Sequence, residues 1–158
     1  GGMNLYYGEE GVSLVEIPYR FEAGTPNISG IIAFSESIKF LNKVGFGNIE
    51  LKEKHLRKYL LSELKKIPYI KIYNESVASN IVLINIDGIT SGDLGLYLNT
   101  KNICVRSGKH CTKMLGDESG FEDTVRISLY FYNSYEEIDK LVLALKDFNA
   151  IKKYVGDD

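Results

Sequence analysis

The chain has 158 residues, 44% hydrophobic and 25% charged, with a formal charge of −2 at pH 7. That is enough for one domain with a proper core, and too balanced to point to nucleic acid or an anionic membrane as partner. Apolar runs such as 81–84 are far too short to span a bilayer, and no charged-then-apolar signal segment opens the sequence.

In chain order, residues 1–26 are rich in glycine and carry two short β-prone pieces, 4–7 and 12–17, without a helical period. They read as an extended N-terminal arm that belongs against another body. From Asn27 the pattern turns regular. Asn27 is placed to cap a helix with Ile31, Phe34, Ile38 and Leu41 at helical spacing. A second helix is predicted over 48–66, with Leu56, Leu60 and Leu64 on one stripe and Pro68 stopping it.

Strands are predicted at 69–73 and 80–86, then a short helix to Leu98 capped by Thr90 or Ser91, then a third strand at 103–106. Residues 125–130 form a fourth strand. Ser134-Tyr135-Glu136-Glu137 is a capping box opening a helix with Ile138, Leu141, Val142, Leu145 and Phe148 on one face. Short connections between mixed elements predict an α+β fold: a small mixed sheet of about four strands, covered by helices on one face. The expected division is an arm at 1–26 and a small domain at 27–158.

The two cysteines differ in setting. Cys104 lies in the strand-like Ile103-Cys104-Val105, and Cys111 in a polar loop, so two reduced thiols in a cytoplasmic protein are expected. No metal site is expected, since there is no C-x-x-C and His55 sits on a lysine-rich helical stretch.

Three places carry candidate chemistry. Arg106, Lys109 and His110 precede Cys111 within five positions, and Gly108 lets the backbone turn sharply. Cationic neighbours favour a thiolate and make a cysteine a better nucleophile. On spacing alone, an idle or partly buried cysteine is the commoner outcome. Arg126 shares a strand face with Ser128 and Tyr130, opposite Val125, Ile127 and Leu129, and its fork suits a carboxylate; a surface ion pair is the plainer alternative. Gly24 and Thr25, just ahead of the first helix, offer a hydroxyl and a close-approaching backbone for a phosphate, or simply an ordinary helix entry.

Four segments together resemble the C-terminal region of cysteine desulfurases of the class-V aminotransferase superfamily, most of all the group II, SufS-like branch. They are 19–27, YRFEAGTPN, similar to R-F-E-A-G-T-P-N; 105–111, VRSGKHC, similar to V-R-[ST]-G-H-H-C; 125–134, VRISLYFYNS, similar to R-A-S-x-x-x-Y-N-[ST]; and 136–139, EEID, similar to E-E-[IV]-D. Their order and spacing cover nearly the whole chain.

The resemblance implies the small domain of a fold-type I pyridoxal 5'-phosphate enzyme. In it, Cys111 attacks the sulfur of L-cysteine, leaving L-alanine and a persulfide for iron–sulfur cluster assembly. Arg126, with Arg106 beside it, would bind the substrate carboxylate. Thr25 and Gly24 would reach the phosphate of the partner subunit's cofactor in a homodimer, Lys109 and His110 would support the loop, and a Suf-type protein would accept the sulfur.

Two departures stand out. Lys109 takes the place of the first of two histidines and cannot relay protons near neutral pH as histidine does. The Schiff-base lysine, expected in Ser-x-His-Lys followed by Gly-Pro, has no match, and Gly-Pro occurs nowhere. The resemblance thus implies a fragment whose large domain lies upstream, with Gly1-Gly2-Met3 resembling the G-G-G-M found there. The cofactor is not expected to be held covalently, nor the fragment to be active alone. A free-standing sulfur-carrier or interaction domain is the alternative of a different class. Part of another class-V enzyme, such as a selenocysteine lyase or a transaminase, is a third.

Overall fold

The computed structural model describes residues 5–9, 11–22, 24–111 and 123–156; Gly1-Gly2-Met3, Asn4 and Ala23 lie outside them. The chain forms two compact units, Gly1–Gly45 and Phe46–Asp158.

In the first unit, β1 (Leu5–Gly8) and β2 (Gly11–Leu14) pair as an antiparallel hairpin, in register from Leu5 opposite Leu14 to Gly8 opposite Gly11. Each overlaps one of the β-prone pieces and runs one residue past it, to Gly8 and from Gly11, although nothing in their composition foretold that they pair with each other. α1 (Ile28–Val44) begins as expected: the Asn27 side chain accepts from the Gly30 N–H at 3.0 Å. None of its residues is buried, and Ile31 and Phe34, on its apolar side, are 61% and 67% exposed.

The second unit runs α2 (Phe46–Leu64), β3 (Ile70–Ile72), β4 (Ile81–Ile86), α3 (Ser91–Thr100), β5 (Arg106–Gly108), β6 (Thr124–Ser128), α4 (Tyr135–Lys146) and α5 (Phe148–Val155). Strand order is β3-β4-β6-β5. Four strands were expected, in a mixed sheet, but every neighbouring pair is antiparallel. The parallel relation survives at one remove. β4 and β5, joined through α3, run the same way, and β6 lies between them antiparallel to both.

Alternation along the strands puts Val82, Ile84 and Ile86 of β4 and Val125 and Ile127 of β6 on one face, where they are buried. On that face lie Leu56, Leu60 and Leu64 of α2, Leu94 and Leu98 of α3, Leu141 and Leu145 of α4, and Ile151 of α5. Each such side chain contributes about 1.5–3 kcal/mol by leaving water. Tyr69 and Tyr97 donate their hydroxyls to the carbonyls of Leu145 and Ala144, satisfying the C-terminal end of α4. The capping box at Ser134 and Glu137 forms in full.

Two differences from the expected elements bear on the site and the core. The third strand is Arg106–Gly108 and not 103–106, because pairing with β6 starts only at Arg106; Ile103 and Val105 pack on the core without joining the ladder. The last helix breaks at Asp147, which ends α4 and accepts from the Ala150 N–H to cap α5, so Phe148 begins a new helix and stacks on Tyr69. No helix among the described residues is long and apolar enough to cross a membrane.

Candidate functional site

β5 and β6 set Arg106 directly opposite Arg126, Ser107 opposite Val125, and Gly108 opposite Thr124. Ser107 faces α3, since a methyl group added at Gly95 of that helix would stand 3.1 Å from the Ser107 hydroxyl. Arg106 and Arg126 therefore project from the opposite face, together with Leu83, which pairs with Arg126 from β4. Arg126 is half-buried, and among the described residues its buried Nε has no hydrogen-bond partner. Val125, Ile127 and Leu129 are buried on the far side, as the alternation predicted.

Beyond β5 the chain bends back over this face. Gly108 has φ +110°, and His110 and Cys111 follow at +52° and +61°. Side chains in this left-handed region each cost about 1–2 kcal/mol, so two in succession need other contacts to hold them. Two such contacts are present. The Arg106 Nη2 donates to Cys111 Sγ at 3.4 Å, and the His110 Nε2 lies 2.8 Å from the hydroxyl of Thr124, which is fully buried.

Burial and the nearby Arg126 guanidinium hold His110 below the ordinary imidazole value; Arg106 adds to this, against the opposing pull of Thr124 and Asp123. The imidazole is therefore neutral at physiological pH. Its Nδ1 is buried without a partner among the described residues. Asp123 is tied down in turn, its carbonyl accepting from Asn85 Nδ2 of β4 at 2.8 Å.

The structure thus gathers Cys111, Arg106, Arg126 and His110 in one place. Lys109 is exposed beside them. Both cysteines are free and exposed, Cys104 in a groove of about 530 Å³ between β6 and α4. Gly24 and Thr25 belong to the other unit. Gly24 has φ +81° with open space where a Cβ would stand, and Thr25 is exposed just ahead of α1. Thr124 was missed in the sequence. The predicted strand began at 125, one residue late, although Thr124 continues the alternation of Arg126 and Ser128.

A family model described as aminotransferase class-V matches residues 1–141. The chain belongs to the class-V aminotransferase family. Among curated class-V relatives, it is 38% identical over 135 residues to a cysteine desulfurase of Wigglesworthia glossinidia brevipalpis, covering 85% of this chain and 33% of that protein. With a cysteine desulfurase of Cronobacter sakazakii it is 36% identical over 136 residues, 86% of this chain and 34% of the relative. The chain spans about a third of the length of these relatives.

Solved structures agree on the fold. The apo cysteine desulfurase from Thermococcus onnurineus NA1 superposes with TM-score 0.83 at 32% identity, over 94% of this chain and 38% of that one. The desulfurase CsdA of Escherichia coli gives 0.83 at 26%, over 97% and 38%. A variant of C-DES with glycine covalently linked to its PLP cofactor shares the fold at 18% identity and TM-score 0.69, over 93% and 37%.

Proposed function

We propose that this chain is the C-terminal part of a group II, SufS-like cysteine desulfurase, in which Cys111 accepts the sulfur of L-cysteine. The observation that carries the reading is the Arg106 guanidinium at 3.4 Å from Cys111 Sγ, with Arg126 directly across the ladder. That arrangement supplies a nucleophile, a cation beside it, and a fork for the substrate carboxylate.

The residues present fit pyridoxal phosphate in part. The open backbone at Gly24 and the exposed Thr25 hydroxyl suit its phosphate, in the partner subunit of a homodimer. No Ser-x-His-Lys occurs in the 158 residues, so the lysine that would hold the aldehyde belongs elsewhere. When bound, pyridoxal phosphate supplies the electron sink that weakens the bond between the substrate's Cβ and its sulfur.

This chain's residues do the rest. Arg126 pairs with the carboxylate and fixes the substrate's orientation. Cys111 Sγ forms a bond to the substrate sulfur as the carbon–sulfur bond breaks. The bonding pair leaves with carbon, which takes up a proton to become alanine, and Cys111 is left as a persulfide. Its exposed position suits transfer to a Suf-type acceptor thiol in the cytoplasm. Neutral His110 and the Lys109 charge shape the loop around it.

The purified chain tests this in two ways. Given inorganic polysulfide, Cys111 should gain one sulfur atom by mass spectrometry well before Cys104 does. Given L-cysteine and pyridoxal phosphate, the chain alone should release no alanine. Equal labelling of both cysteines would overturn the role of Cys111. A non-catalytic sulfur carrier is favoured instead if the chain exchanges sulfur with an intact desulfurase but never yields alanine when joined to a class-V large domain.

A further inference from the structure

Thr124 and His110 come from opposite ends of the β5–β6 connection, yet their side chains meet at 2.8 Å. Thr124 is fully buried at the first position of β6, opposite Gly108, whose lack of a side chain leaves that position on β5 bare. His110 folds back from just beyond Gly108 to reach it. The turn that does this is left-handed at both His110 and Cys111, a conformation these residues do not choose unaided.

The contact also distinguishes the two ring nitrogens. Nδ1 is buried with no partner among the described residues. A buried N–H without an acceptor is among the rarest defects in folded proteins, while a bare lone pair is better tolerated. The proton therefore sits on Nε2, and the acceptor is Thr124.

We propose that Thr124 is a positioning residue: its hydroxyl oxygen accepts from His110 Nε2–H, fixes that tautomer, and locks the left-handed turn that presents Cys111 to Arg106. Thr124 touches neither the thiol nor a substrate. It acts through the imidazole, much as an outer-layer acceptor fixes the tautomer of a histidine that does chemistry. The inference rests on the sulfur-acceptor reading of Cys111 for its purpose, but not for its geometry. The charged groups around His110 are Arg126, Arg106 and Asp123, and among the described residues none of them hydrogen-bonds Nδ1.

Long-range proton–nitrogen NMR on the full chain tests this directly, because there are only two histidines and exposed His55 serves as the reference. His110 should show the Nε2–H pattern at pH 7.5. Thr124→Val keeps the shape and removes the acceptor; it should abolish the bias and slow alkylation of Cys111 by about five- to tenfold, the size of one lost hydrogen bond. Thr124→Ser should restore both, with Cys104 alkylating at an unchanged rate throughout.

An Nδ1–H pattern in the unaltered chain overturns the proposal, and so does a Val variant that behaves as wild type. If the Val variant does not fold, the wild-type tautomer and the Ser variant still decide. A chain with the expected tautomer and Thr124 dependence, but no persulfide on Cys111, would refute the desulfurase reading and leave this one standing.

Discussion

Arg106 and Arg126 face each other across the β5–β6 ladder, two guanidinium groups on one side of a sheet with no carboxylate bridging them among the described residues. Like charges directly opposite in an antiparallel pair are destabilising by a few tenths to about 1 kcal/mol. The pairing makes sense if an anion is meant to sit there. Arg106→Gln removes this repulsion together with the Cys111 contact, so its effect in urea titrations should be more favourable at low than at high ionic strength by about 0.2–1 kcal/mol. The same variant should slow Cys111 alkylation. An effect of Arg106→Gln that does not change with ionic strength would mean that the two charges are not in conflict.

His110 gives the region a pH dependence. Burial and Arg126 hold its folded value below the ordinary 6.5, so near and below that pH the unfolded chain binds more protons than the folded one. Its contribution is complete above about pH 6.5 and is lost as pH falls toward the lowered value. Urea midpoints should fall between about pH 7.5 and pH 5 in the wild type, and fall less in His110→Asn. Equal losses in both would place the acid sensitivity elsewhere.

Gly108 separates space from conformation. A methyl group there would meet no atom of the described residues within 4 Å, so the expected cost of Gly108→Ala comes from φ +110°. We expect a loss of about 1–2 kcal/mol in chemical denaturation, together with slower Cys111 alkylation as the turn relaxes. No loss would show that the turn is not held in its left-handed form.

Leu60 is fully buried in the core and lies on none of the site elements. Leu60→Ala should cost about 2–5 kcal/mol, enough to leave a domain of this size largely unfolded on mild warming. Phe34→Ser on the exposed face of α1 should cost far less and improve solubility. Comparable losses from the two would show that α1 is covered in solution.

Much of this architecture is written into local chemistry. Leu56, Leu60 and Leu64 recur every four residues and do line one buried stripe; Ser134 and Glu137 form a capping box that depends on nothing distant. Val125, Ile127 and Leu129 alternate, and so Arg126 had to face away from the core. What stayed hidden depends on partners far along the chain. Ile103-Cys104-Val105 is as strand-like as any triplet, but its pairing with β6 begins only at Arg106. The contact between His110 and Thr124 spans 14 positions and a backbone turn that sequence periodicity does not report. At the site, residue types pointed to the chemistry, while the opposition of two arginines and the anchoring of the imidazole came only from pairing register.

The placement of β6 between β4 and β5 has a bearing on how this surface can change over time. Cys111 is moored by Arg106 and by the His110–Thr124 contact, both on strands, so its setting does not depend on how many residues follow before Thr124. Lengthening such a connection is cheap, about 0.6 kcal/mol for each doubling. Natural variation can therefore remodel the segment beyond the thiol, and with it the outline met by an incoming molecule, while the nucleophile keeps its address.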